Sequence, residues 1–184
     1  STLADELTAV DKLLLREPIL ARHLAEATGE TAAKQQMLQK LLGTRVGANA
    51  LEVLNTAVSV RWSKTGDLLA AIEHVARLAL LTRADRENQA EKVAEQLFRF
   101  GRVLDSQPRL ASLLGDYAQS GEQRVALLRS VLGQATGTNA TAGALLAQTV
   151  ELLRGERADD AVGELAELAV AHRGEIVAEV GAAA

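Results

Sequence analysis

The chain has no cysteine, which excludes disulfides, thiolate catalysis and zinc–thiolate sites and fits a reducing compartment. Aromatic residues make up only 2% and there are two prolines. Nothing resembles a β-hairpin of alternating Val, Thr and Tyr. No apolar run reaches the ~20 residues that span a bilayer, and the start is not signal-like. Direct membrane insertion is therefore not expected. The net charge of −4 supplies no basic field for nucleic acid.

What remains is a helical composition. Leu, Ala, Val, Glu, Gln and Arg dominate, and 48% of residues are hydrophobic, enough for a core. At 184 residues the chain is large for one domain and ample for two small ones. It opens on Ser1 rather than Met, which fits a longer natural protein on that side or a removed tag.

One stretch organises the rest. Asp67 to Phe100, 34 residues between Gly66 and Gly101, holds no glycine or proline. A continuous helix there would be roughly 50 Å long. Its ends are apolar, while Arg83 to Lys92 is almost wholly polar with both charges interleaved. A helix that is polar all round bridges through solvent, so the stretch reads as a link between two compact bodies.

The sequence before the link recurs after it. Leu3, Leu7, Val10 and Leu14 have helical spacing, and Pro18 opens a short second helix. Thr31 is a candidate cap for a third helix, which ends at Gly43 as a left-handed C-cap. Gly47 to Asn49 opens a fourth helix with Leu51, Leu54, Val58 and Trp62 on one stripe, and Asp67 is a candidate N-cap for a fifth. A shift of 90 (108 − 18) places Pro18 on Pro108, Gly43 on Gly133, Gly47 on Gly137 and Asn49 on Asn139. Leu7, Leu14, Leu24 and Leu38 fall on Leu97, Leu104, Leu114 and Leu128 in the same register.

The expectation is all-α: two tandem bundles of about five to six helices, joined by a long helix. Residues 1–86 form the first and 87–173 the second, with its last helix running from Asp159 or Asp160 to about His172. Residues 174–184 would begin a further C-terminal domain or form a disordered tail, with Glu175 to Val180 alternating like a strand.

Chemistry is sparse. His23, His74 and His172 are isolated, with no metal-ligand spacing. The segments Gly43 to Gly47 and Gly133 to Gly137 follow helices and lack a Gly-Lys-Ser/Thr ending, so they read as turns, not phosphate loops. Asn139 heads a glycosylation sequon but fits a cap or turn. Trp62 reads as a buried anchor, and Asp159-Asp160 as charge favourable to a helix start. No catalysis, cofactor or metal is expected. The surplus of apolar residues on the first and fifth helices is a candidate groove for an amphipathic helix.

Pro-started short helices after Arg16-Glu17-Pro18 and Ser106-Gln107-Pro108, and helices ending Leu41-Leu42-Gly43 and Val131-Leu132-Gly133, resemble the N-terminal domain of the ATP synthase delta subunit family. In mitochondria that family is known as the oligomycin sensitivity conferral protein. The segment around His172 to Val180 resembles the family's passage into a C-terminal α/β domain, and Val60 to Leu69 its turn from fourth to fifth helix. The doubling is similar to the fused b–delta subunits of mycobacteria and related actinobacteria. The family's C-terminal domain does not follow Val180, and the first copy lacks the usual aromatic early in helix 1.

The resemblance implies a non-catalytic peripheral-stalk role at the cytoplasmic face of the plasma membrane. Its partners would be the N-terminal helices of alpha subunits and the b/b' stalk. The receiving grooves would be lined by Leu7, Val10, Leu14, Leu69, Ile72 and Ala76 in the first copy. In the second they would be lined by Leu97, Phe100, Leu104, Val162 and Ala166, with Asp159 making that groove more polar at one end. An unrelated helical adaptor is the other reading of the same pattern.

Overall fold

In the computed structural model the described residues are 2–135 and 137–183, without the side chains of 175–180 and 182–183. Ten α-helices and no strand are found among them. The chain divides into two compact units, Ser1–Ala79 and Leu80–Ala184, and the division falls inside the fifth helix.

Unit 1 holds α1 (Leu3–Arg16), α2 (Pro18–Ala25), α3 (Thr31–Leu42), α4 (Ala48–Val58) and the start of α5 (Thr65–Arg86). Thr2 caps α1 in a reciprocal capping box with Asp5, and Pro18 stands in the first turn of α2. The core is built from Leu7, Leu14, Leu24, Leu54 and Ile72, each nearly inaccessible to solvent. Burying each is worth roughly 1.5–3 kcal/mol.

Unit 2 holds the end of α5, then α6 (Ala90–Ser106), α7 (Pro108–Leu114), α8 (Gly121–Gly133), α9 (Ala140–Glu151) and α10 (Ala158–Ala183). Helix α6 packs along α10, and α8 on α9. Ser120 caps α8 in a capping box with Gln123. The Asn139 Oδ1 accepts from the Thr141 and Ala142 N–H groups at 2.8 and 3.2 Å, so the sequon asparagine is an N-cap.

Several expectations are corrected. The single helix from Asp67 to Phe100 is broken at Asn88, whose φ is +55°. The Asn88 N–H donates to the Asp85 carbonyl and the Gln89 N–H to the Ala84 carbonyl, at 3.0 and 2.7 Å. This is a Schellman cap with asparagine in the left-handed position; asparagine visits that region at little cost. Gly101 does not end α6 but sits inside it. Gly43 closes α3 in right-handed geometry (φ −56°). Thr31 is the first helical residue rather than the cap, which is Glu30, and Asp67 lies within the first turn of α5.

The strand expected over Glu175 to Val180 is helical, part of α10. A lone strand leaves its backbone donors and acceptors unpaired, whereas a helix pairs them internally. Gly174 therefore does not end the helix. Helix α4 stops at Val58, and Trp62 lies beyond it.

The two units share unusual contacts at the shift of 90. Gly47 N–H donates to Glu6 Oε2 at 2.6 Å. At the corresponding place Gln96 Nε2 donates to the Gly137 carbonyl at 2.9 Å, and Gln96 Oε1 accepts from Asn139 N–H at 2.7 Å. In both, a side chain from the unit's first long helix ties down the turn before the fourth. Lys34, buried on α3, donates to the Glu26 carbonyl. Arg124, buried on α8, donates to the Gln119, Val150 and Glu151 carbonyls at 2.8, 3.2 and 3.2 Å, and reaches that of Asp116 at 3.5 Å. Asp116 is the counterpart of Glu26.

Candidate functional site

The outer seam of unit 2 runs between α6 and α10. Helix α6 is strongly amphipathic and turns Val93, Ala94, Leu97, Phe100 and Leu104 inward. Helix α10 answers with Ala158, Ala161, Val162, Leu165, Ala166 and Ala169. The two run antiparallel: Gly101, late in α6, faces Val162, early in α10, while Arg173, past the middle of α10, pairs with Glu91 at the start of α6 at 3.7 Å. His172 meets Asp85 in the last turn of α5, with Nε2 and Oδ2 2.8 Å apart.

Midway along this seam a Cβ placed on Gly101 would come within 3.7 Å of Val162 Cγ1, while one on Gly163 would meet nothing within 4 Å. Helical spacing puts Phe98 on the side of Gly101 and Val170 on the side of Gly163. Both are exposed, at 59% and 57%. Each helix thus carries a partly buried glycine and one exposed large apolar side chain on the same stripe. Small residues let a third helix approach closely.

Asp159 stands in the first turn of α10. Its carboxylate is held by Arg157, Nε to Oδ1 at 3.1 Å and Nη2 to Oδ2 at 3.0 Å. That hydrogen bond holds Asp159 below the usual carboxylate value, against the opposing effect of its partial burial. The Arg157 guanidinium is raised, first by the same hydrogen bond.

The corresponding seam of unit 1 is furnished differently. Asp11 and Glu73 occupy the positions of Gly101 and Gly163, and both are buried. Arg77 Nη2 donates to Glu73 Oε1 at 2.7 Å.

All eleven residues expected to line the two grooves are buried. Leu7, Val10 and Leu14 on α1 and Leu69, Ile72 and Ala76 on α5 belong to the interior of unit 1, and Val10, Leu14 and Ile72 border one small void. Leu97, Phe100, Leu104, Val162 and Ala166 belong to that of unit 2. The exposed Phe98 and Val170 and the partly buried Gly101 and Gly163 are positions that apolar periodicity does not single out. A signal for Phe98 was available: it lies off the apolar stripe of a strongly amphipathic helix.

A second hollow, in unit 1, is larger and has a different place. It has a volume of about 540 Å³ between α4 and α5, bordered at one end by Leu3. Val53, Trp62 and Val75 line it. Trp62 is half-buried, not a sealed anchor, and its Nε1 donates to the Ala57 carbonyl at 2.8 Å. Among the described residues no cluster of His, Asp or Glu could hold a metal ion, and no helix is long and apolar enough to cross a membrane.

Among the described residues the fold is all-helical, with exposed apolar side chains on both helices of the α6–α10 seam. Residues 75–184 match the family model described as ATP synthase delta (OSCP) subunit. The chain therefore belongs to the ATP synthase delta (OSCP) subunit family, a family of non-catalytic subunits. It is 52% identical over all 184 residues to the ATP synthase subunit b-delta of Mycobacterium sp. strain KMS, and equally to that of strain JLS. It spans 41% of the length of each of these relatives.

Proposed function

We propose that the chain is a peripheral-stalk component of an F-type ATP synthase, at the cytoplasmic face of the plasma membrane. It binds alpha-subunit N-terminal helices and links the catalytic head to the b/b' stalk, so that the head does not turn with the rotor. Two delta-like bundles, 1–86 and 87–173, each offer the seam between first and fifth helices. The shared contacts of Glu6 and Gln96, and of Lys34 and Arg124, support descent of both from one unit.

The observation that carries the reading is the seam between α6 and α10, with exposed Phe98 and Val170 on its two helices and the side-chain-free Gly101 and Gly163 between them in sequence. Leu97, Phe100, Leu104, Val162 and Ala166 form its floor. The counterpart floor in unit 1 is Leu7, Val10, Leu14, Leu69, Ile72 and Ala76. There Asp11 and Glu73 fill the seam, so an alpha helix binds it more weakly. Calorimetric titration with a synthetic alpha N-terminal peptide tests the reading. Saturable binding that Phe98→Asp weakens supports it. No binding by the folded chain leaves the family membership standing and removes the alpha-helix contact from this chain.

A further inference from the structure

We propose that the hollow between α4 and α5 of unit 1 seats a helix formed by the residues that directly precede Ser1 in the full-length protein. The inference rests on the internal repeat and is independent of alpha-subunit binding.

The hollow is lined by Val53, Val60, Trp62, Ala71, Ile72 and Val75. Val60 is 47% exposed. At the shift of 90 these positions become Gly143, Val150, Leu152, Ala161, Val162 and Leu165 of unit 2. All six are buried. The same place is therefore open in one copy and covered in the other.

In unit 2 the cover includes the last turns of α5. Leu80, Leu81 and Ala84 are buried. Arg83 donates to Thr141 Oγ1 at the start of α9 from both Nε and Nη2, at 3.2 and 3.0 Å. Asp85 pairs with His172 on α10 at 2.8 Å. Asn139 Nδ2 donates to Gln89 Oε1 at 3.3 Å, fixing the turn that follows. This cover lies immediately ahead of α6 in the chain, as the residues before Ser1 lie immediately ahead of α1. The hollow is bordered by Leu3, in the first turn of α1, so a helix entering α1 starts beside it. The relatives, more than twice as long as this chain, have the residues to supply one.

The register makes the occupant definite. Leu80, Leu81 and Ala84 map about eleven, ten and seven places ahead of Ser1, and Arg83 about eight. The segment is a helix with apolar residues at the first three places, ended by a polar turn like the one at Asn88. Exposed Glu52 on the rim of the hollow offers a carboxylate to a basic residue in the fourth.

Crosslinking in the full-length protein, cleared of any cysteines outside this chain, tests the seat. One pair combines Leu51→Cys, the counterpart of Thr141, with a cysteine placed eight residues before Ser1. The reference pair is Arg83→Cys with Thr141→Cys. A short bis-maleimide should link both pairs within one chain, and Val53→Glu should cut the yield of the first pair several-fold without changing the second. Linkage of the reference pair alone overturns the proposal. So does linkage of the first pair only between chains, or a yield that Val53→Glu leaves unchanged.

Discussion

Gly163 separates stability from binding. A Cβ there meets nothing within 4 Å, and the position lies inside α10. Glycine in a helix interior costs about 1 kcal/mol relative to alanine, because its backbone loses more freedom on folding. Gly163→Ala should therefore stabilise by about 1 kcal/mol, and Gly163→Leu by slightly less. For a chain of this size that raises the melting temperature by roughly 3 °C. The leucine side chain would stand in open space on the stripe of α10 that carries Val170, where the proposed alpha helix docks. Binding of the alpha N-terminal peptide should fall at least tenfold, about 1.4 kcal/mol. Calorimetric titration and thermal unfolding of the same samples read both quantities. Unchanged affinity in a stabilised Gly163→Leu protein would refute the α6–α10 seam as the docking site. A destabilised Gly163→Ala would refute the packing argument itself.

Arg124→Met removes four donations to carbonyls, that to Val150 from a buried setting. Leaving such acceptors unsatisfied should cost about 3 kcal/mol in urea unfolding, and Lys34→Met, with its one carbonyl, should cost clearly less. At the α5 terminus Asn88→Gly should be neutral or stabilising, and Asn88→Val should cost about 1–2 kcal/mol, since a β-branched side chain is strained at positive φ. Asp159 has a lowered folded pKa, caused first by the Arg157 hydrogen bond. Its contribution is present above the unfolded carboxylate value and is lost as pH falls through the folded value. Asp159→Asn should therefore flatten the acid side of the stability profile and leave the alkaline side unchanged.

The punctuation of the sequence exposed much of the fold. Pro18 and Pro108 open short helices, and the apolar spacing of α1 and α6 marks which residues face inward. The misread elements are those where tertiary or local chemistry competes with pattern. Nothing in a glycine-free run announces that Asn88 takes a left-handed cap, because asparagine is also tolerated within helices. Alternation over Glu175 to Val180 suits a strand only if a partner strand exists. Of the candidate site, the sequence made legible which residues are buried. Periodicity identified the buried floor of each seam, since it reports which residues are apolar and regularly spaced. Gly101 and Gly163 matter through the absence of side chains, and they become informative only once α6 and α10 are seen to run antiparallel.

The two copies keep one set of contacts and change another. Glu6 and Gln96 anchor the same turn, and Lys34 and Arg124 reach the same carbonyl position, so the interactions that close each core survive together. The outer seam does not. Burying a carboxylate costs several kcal/mol unless it is compensated, and Glu73 has Arg77 at 2.7 Å. Such a pair fills a seam with groups that prefer each other to an apolar ligand, whereas the other seam has uncharged Gly101 and Gly163 at these two places. A surface with no role would tolerate either outcome, but an apolar rim residue such as Phe98 or Val170 has little reason to stay exposed unless something covers it. On the proposed function, the tighter alpha-helix site is expected at α6 and α10, and the hollow between α4 and α5 of the first copy is the proposed seat of the chain that leads into it.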